Sequence, residues 1–405
     1  MTATDAVIVA ATRSPIGRAY KGSLVGVRAD DLAARMVRAV LDSIPALPAS
    51  EVEDVVLGCG LPGGEQGFNI ARVVSVLAGL RDVAGLTVSR YCASGLQAVR
   101  TAAHAIRLQE GAVFIAGGVE CASRSDKGTS DNLPDTMNSR FDEAARRTAD
   151  RTAEGAPLWA PQQGLPDVYI AMGQTAETVA QLEGVTREEQ DAFALRSQQL
   201  AVAAVARGHF ESEITPVELP DGTVVTQDDG PRPDTSAERL AGLRPVFRPD
   251  GTVTAGNACP LNDGAAAMVL MSADRARELG LSPLARIVST AVSALDPEVM
   301  GLGPVVAGRI ALARAGLRIS DIDLVEINEA FAAQVIPSVR QLEIDLERLN
   351  VSGGAIALGH PFGMTGIRLL MSLINNLNER DETLGMAALC VGGGQGMAAV
   401  IERLS

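Results

Sequence analysis

LTVSRYCASGLQ, residues 86–97, closes a short apolar run and opens a helical one. Leu86 to Val88 is the tail of a strand. Leu96, Val99, Ala103 and Ile106 then recur at helical spacing. Cys92 falls at the changeover, near the helix N-terminus, where unpaired backbone N–H groups and the positive end of the helix dipole gather. That setting favours a thiolate and suits a nucleophile. Taken alone, Cys92 reads more readily as a small buried hydrophobe.

Working outward, Ala6 to Ala11 is a buried strand, and Asp30 or Asp31 can cap a helix through Leu32, Met36, Val37, Val40 and Leu41. A second strand, Val55 to Leu57, leads through a glycine-rich turn to a helix with Ile70, Val73, Val74 and Leu77. Ala112 to Ala116 is a strand running into Gly117-Gly118. Apolar strands alternating with helices predict a sheet covered on both faces. From Ser123 to about Asp250 the chain turns polar and rich in Pro, Gly and Arg, with helical stretches at Gln174–Leu182 and Thr186–Ala206. Thr186 and Glu189 form a capping-box pattern for the second. This region reads as an insertion covering a site. Asn262-Asp263-Gly264 then predicts a turn into a buried element, Ala265 to Met271.

The last third repeats the first. Asp54-Val-Val-Leu lies 38 residues before Cys92, and Asp323-Leu-Val-Glu lies 37 before His360. Ala112-Val-Phe-Ile-Ala-Gly-Gly has its counterpart in Ala387-Ala-Leu-Cys-Val-Gly-Gly-Gly, and a helix at Ile310–Ala315 falls in a matching place. Two copies of one αβ unit, facing each other, would bring the Cys92 and His360 loops together.

A net charge of −14, with three Tyr and one Trp, argues against a nucleic-acid surface. Five scattered cysteines without a CxxC pair argue against a disulfide framework or a zinc site. No signal peptide and no long apolar span is evident, and the C-terminal Glu-Arg-Leu-Ser is not a peroxisomal address, so a cytoplasmic location without membrane insertion is expected.

Of three histidines, His104 and His209 read as structural or solvated. His360 lies in Gly353-Gly-Ala-Ile-Ala-Leu-Gly-His-Pro-Phe-Gly363, where glycines let backbone approach a ligand. Cys390 precedes Gly392-Gly393-Gly394, whose N–H groups suit an oxyanion, and Asn328 follows a buried strand. These features fit acyl transfer through a thioester, with Cys92 as nucleophile, His360 as its base and Cys390 as a second acid/base.

YCASGLQAV around Cys92, NEAFAAQ from Asn328, GGAIALGHPFGMTG around His360 and CVGGGQG from Cys390 resemble the signature blocks of the thiolases; VTAGNACPLNDGAAA and DPEVMGLGP match too, in order along the whole chain. The resemblance implies an α/β thiolase fold: two duplicated halves in a five-layered αβαβα core with an inserted loop domain. The halves would be residues 1–120, completed by about 251–285, and 286–405; the loop domain, 121–250, would cover a coenzyme A (CoA) site. It further implies ping-pong thiolytic cleavage of 3-oxoacyl-CoA in fatty-acid β-oxidation, with CoA as substrate and neither cofactor nor metal. One oxyanion site would use His360 and a water on Asn328, the other the N–H groups of Cys92 and Gly392. By position, Leu243, Phe247, Ala255, Leu261 and Phe331 would line the pantetheine channel, with Met172 and Cys259 beside it and Arg232 at the CoA phosphates. Relatives form homodimers or homotetramers.

Three positions depart from the family pattern: Ser89 where Asn is common, Ala171 where His or Ser is common, and Cys259-Pro260 where a small Ser pair is usual. LPDTMNSRF (133–141) and LPDVYIAMGQTAE (165–177) resemble a subgroup that includes steroid side-chain enzymes, so a long or bulky acyl group is expected. Alternatives are an acetoacetyl-CoA thiolase, an inactive acyl-CoA- or lipid-binding relative, a decarboxylating condensing enzyme and a redox protein pairing Cys92 with Cys390. The complete set of Cys92, Asn328, His360 and Cys390 disfavours the last three.

Overall fold

The computed structural model describes residues 2–127, 136–156, 159–161 and 163–405. Leu133, Pro134 and Asp135 of the first subgroup motif lie outside them.

The main strands are β1 (Ala6–Arg13), β2 (Asp54–Gly58), β3 (Ala84–Val88), β4 (Val113–Cys121), β5 (Asn262–Ser272), β6 (Ala285–Ala294), β7 (Leu324–Ile327), β8 (Leu384–Val391) and β9 (Gln395–Arg403). They hydrogen-bond in the order β7-β8-β9-β6-β1-β5-β4-β2-β3. Outward from the β6–β1 junction the two directions repeat. β1, β5, β4 and β2 correspond to β6, β9, β8 and β7, with β4–β2 and β8–β7 parallel and the other pairs antiparallel. On the second side a single parallel bridge, Val325 to Leu349, stands where β3 stands on the first.

The main helices are α1 (Ala29–Asp42), α2 (Ile70–Leu77), α3 (Ser94–Arg107), α4 (Met172–Glu183), α5 (Arg187–Ala206), α6 (Gly303–Ala315), α7 (Ala332–Leu342) and α8 (Phe362–Glu379). Strand alternation assigns each residue to a layer. Val113 and Ile115 of β4 pack outward on α1 and α2, whereas Phe114 and Ala116 face inward onto α3 and α8. On the second half Ala388 and Ala398 face α6 and α7, while Leu389 and Met397 face α3 and α8. Helices, sheet, helices, sheet, helices: the thiolase-type five-layer order follows from that alternation. Each fully buried Leu or Ile of the central layer contributes roughly 1.5–3 kcal/mol.

The central helices place the site. A methyl on Gly366 of α8 would lie 2.1 Å from Leu96 N of α3, and one on Gly95 would lie 2.5 Å from Gly363 O. Only glycine lets the two backbones meet there, close to both N-termini. The loops carrying Cys92 and His360 are thereby drawn to one point.

Several local expectations are corrected. Neither Asp30 nor Asp31 caps α1: Arg28 is the cap residue, and Asp30 lies in the first turn accepting from the Arg28 guanidinium and Asp31 N. Asn262-Asp263-Gly264 is not a turn but the start of β5. Its polar groups are satisfied laterally, Asn262 Nδ2 donating to Gly17 O (2.9 Å) and Asp263 accepting from Ser123 N (2.8 Å). The Ile310–Ala315 helix begins earlier, at Gly303. His209 is buried, its Nδ1 2.6 Å from Glu379 Oε1, whereas His104 is exposed on α3. The Thr186/Glu189 capping box is present.

Candidate active site

After β3 the chain turns through Tyr91, held at φ +42°, into a short 3₁₀ turn, Tyr91–Ala93, that feeds α3. Ser94 locks the turn, its Oγ accepting from Arg90 N (2.9 Å) and donating to Tyr91 O (2.7 Å). Cys92 is thus fixed two residues before the start of α3, and its sulfur accepts from the Gly392 N–H. The helix start does not make it a thiolate. Cys92 is only 8% exposed, and burial pushes its thiol up to about 12, outweighing the N–H groups that favour the anion. The resting group is S–H.

His360 is buried and complementary. Gly359, at φ +113°, supplies a backbone turn that L side chains rarely adopt, and Asn262 Oδ1 accepts from His360 N (2.9 Å). The ring Nδ1 lies 2.7 Å from Thr365 Oγ1, which itself donates to Pro361 O at 2.8 Å. A hydroxyl has one proton; were it turned to the ring, two lone-pair oxygens would face each other at that second contact. Nδ1 therefore carries the ring proton and Nε2 the lone pair, which accepts from Asn328 Nδ2 at 3.2 Å. Burial, with the Arg368 guanidinium nearby, pushes His360 down to about 3. It is a neutral imidazole with its basic nitrogen defined.

Asn328 continues the β7 ladder, its N–H donating to Ala388 O (2.9 Å), and its buried Oδ1 has no hydrogen-bond partner among the described residues. Cys390, near the end of β8, is fully buried and donates S–H to Gln334 Oε1 at 3.6 Å. Burial and the neighbouring Cys92 and Cys259 thiols push it well up, so it too rests as a thiol.

Cys92, His360 and Gly392 open on one cavity of about 630 Å³. Met172, Phe247, Cys259, Leu261 and Phe331 line it as well, with Phe247 and Phe331 edge-to-face at 6.3 Å. Leu243 and Ala255 do not. They line a second cavity of about 180 Å³ with Arg232, Arg18 and Arg239, and Ala258 borders both. The expected single channel is thus two chambers, one apolar and one carrying the arginines. Of the departures, Ser89 Oγ donates to Gly60 O (3.2 Å), Ala171 precedes α4 on the cavity wall, and Cys259 N donates to Ala330 O (3.0 Å). Among the described residues no group of three or more His, Cys, Asp or Glu could hold a metal ion.

Two family models cover the chain: the N-terminal domain of thiolase over residues 6–274 and the C-terminal domain over 281–403. The chain belongs to the thiolase family. Its sequence is 45% identical to the 3-ketoacyl-CoA thiolase of Bacillus subtilis (strain 168), over 98% of this chain and 99% of that one. It is 44% identical to the 3-ketoacyl-CoA thiolase of Marinomonas sp. (strain MWYL1), over 99% and 98%. The crystal structure of the Bacillus anthracis acetyl-CoA acetyltransferase superimposes with a TM-score of 0.85 at 40% identity, covering 99% of both chains. Among the described residues of this thiolase no helix is long and apolar enough to cross a membrane.

Sequence reasoning missed the residues that hold two of the expected site groups: Thr365 and Asn262 on His360, and Gln334 on Cys390. Thr365 and Gln334 lay inside quoted motifs, five residues past His360 and six past Asn328. Helical spacing would have turned Thr365 back onto the histidine. Nothing local pointed from Asn262 to a residue 98 positions away.

Proposed function

We propose that this thiolase is an acyltransferase carrying out the CoA-dependent cleavage of 3-oxoacyl-CoA to acetyl-CoA and a shortened acyl-CoA. One observation carries the reading: a cavity onto which open a thiol held by the Gly392 N–H and a neutral histidine whose lone pair is on Nε2.

His360 Nε2 takes the Cys92 proton as sulfur attacks the ketone carbon. The N–H groups of Cys92 and Gly392 receive the oxyanion. The carbon–carbon bond breaks with its electron pair leaving on the acetyl-CoA enolate, whose oxygen is met by the Nε2–H and by water on Asn328. Cys390 gives its proton to the enolate carbon, and the imidazolium proton then returns to the Cys390 thiolate. Incoming CoA gives its thiol proton to His360 and attacks the acyl-cysteine. Cys92 leaves and recovers that proton, so the cycle closes.

Coenzyme A would thread from the arginine-bearing chamber, with Arg232 toward its phosphates, past Ala258 into the apolar one. The apolar chamber is also walled by Met137, Tyr169, Ile170 and Phe362, which supports a long or bulky acyl group. Phe68, 92% exposed, and the exposed Leu86 on β3 support assembly as a homodimer or homotetramer. A role in fatty-acid β-oxidation in the cytoplasm fits this substrate class.

Mass spectrometry of the protein treated with acetyl-CoA should show one acetyl group on Cys92, absent in Cys92→Ala. A wild-type protein that does not acetylate rejects the reading. In a thiolysis series, turnover of acetoacetyl-CoA alone would reject the long-chain assignment.

A further inference from the structure

Gln334 is fully buried in the first turn of α7, and no part of the acyl-transfer scheme uses it. Its Oε1 accepts the Cys390 S–H, while its Nε2 has no hydrogen-bond partner among the described residues. A buried amide left half unsatisfied is costly, so the arrangement calls for an explanation in the chemistry beside it. The surroundings keep it in place. Its N–H donates to Phe331 O, and Ser338 Oγ donates to its carbonyl at 2.8 Å. Gly301, within the DPEVMGLGP motif, leaves the necessary room, since a methyl there would lie 2.6 Å from Gln334 Cβ.

A side-chain amide offers, without charge, an acceptor and a donor on the same swivel. Cys390 needs both. As a thiol it has a proton to donate; once it has given that proton to the enolate carbon it is an anion in a dry site and needs a donor. We propose that Gln334 is the positioning residue for Cys390, its carbonyl accepting from the thiol and its amide N–H, turned over, donating to the thiolate. The inference rests on Cys390 being the acid/base at the acetyl α-carbon. Among the described residues, the Cys92 and Cys259 thiols near Cys390 both oppose a thiolate there. Gln334 supplies the compensating donor.

The step to follow is exchange of the acetyl-CoA α-protons with D₂O, by NMR, against pH. It is compared with acetylation of Cys92 by acetyl-CoA, a step in which the scheme gives Cys390 no part. Gln334→Met, equal in length and without a donor, should acetylate Cys92 within about threefold of wild type. Its α-proton exchange should fall roughly 10²-fold. The pH midpoint for exchange should rise by about one to two units, the shift expected on losing a hydrogen bond to an ionised group. Gln334→Glu should shift it further, because a carboxylate repels the thiolate. Gly301→Ala, which crowds Gln334, should move exchange in the same direction if Gln334→Met does not fold. Exchange at the wild-type rate and midpoint in Gln334→Met or Gln334→Glu overturns the role of Gln334, provided Cys390→Ala is inactive in exchange. If Cys390→Ala exchanges as fast as wild type, the assignment of Cys390 itself falls and takes the proposal with it.

Discussion

Replacing Thr365 by Val keeps the shape of the side chain and removes the hydrogen-bond partner that His360 Nδ1 has among the described residues. The buried Nδ1–H is then unpaired, at a cost of about 1–3 kcal/mol. That cost falls on the tautomer that presents Nε2 to the cavity, so the working state of the base becomes rarer or the ring turns away from it. Charged wholly to the transition state, it slows Cys92 acylation roughly 5- to 150-fold. Rapid-quench acetylation by acetyl-CoA measures the step directly, before any carbon–carbon chemistry. Thr365→Ser keeps the oxygen and should recover most of the rate, although it loses the same methyl packing as any small replacement. Thermal denaturation separates the effects, because a purely structural loss lowers the melting temperature without changing the acylation rate of folded protein. A Thr365→Val enzyme acylating within twofold of wild type would refute the tautomer assignment.

The depressed value of His360 couples the site to acid stability. Held near 3 against an ordinary 6.5, the neutral ring stabilises the fold fully above pH 6.5, and that contribution is lost as pH falls toward 3. At pH 5 the loss is about 2 kcal/mol; urea titrations should find that His360→Gln loses less than wild type between pH 7 and 5, and equal losses would count against a buried neutral ring. With Cys92 raised to about 12, its alkylation by iodoacetamide should climb with pH beyond 9; a plateau from pH 5 upward would reveal a preformed thiolate. Glu298 of the DPEVMGLGP motif accepts from Trp159 Nε1, Asp167 N (3.3 Å) and the Arg151 guanidinium (3.1 Å), tying the polar insertion to the segment before α6. Trp159 is the only tryptophan, so Glu298→Gln should red-shift the intrinsic emission and raise the KM for acyl-CoA; unchanged emission would show that the contact does not hold the insertion.

The sheet was legible because buried strands are apolar and the sequence repeats, and the repeat also paired the Cys92 and His360 loops. Polar residues inside strands were not legible. Asn262 and Asp263 resemble a turn until their lateral partners, Gly17 O and Ser123 N, are known. Cys92 exposes a different limit. Helix-terminus reasoning gives the sign of one local effect, whereas the net preference depends on how much water the folded chain removes, and burial wins here. The CoA residues show the same dependence on distance. Leu243 and Phe247 are four apart in sequence but line different chambers.

The site is best understood as neutral at rest. Cys92 and Cys390 are thiols and His360 is an uncharged imidazole, each held that way by burial. A thiolate–imidazolium pair prepared in advance would be exposed to every alkylating or oxidising agent that entered the cavity. In the proposed scheme the neutral set moves a proton only when a carbonyl oxygen arrives to take the charge into the donors of Cys92 and Gly392. This explains why so many contacts orient rather than ionise: Thr365 fixes one proton on His360, Asn262 fixes its backbone, and Gln334 accepts the proton of Cys390. It also explains the duplication. In the proposed scheme the first half contributes the nucleophile from the loop before α3 and the second contributes base and acid from the loop before α8 and from β8, while the glycine contacts between α3 and α8 hold the halves in register. In such a site, rate depends on where hydrogens point. A methyl group at Gly366 or Gly95 would therefore disable the chemistry without touching a reacting atom.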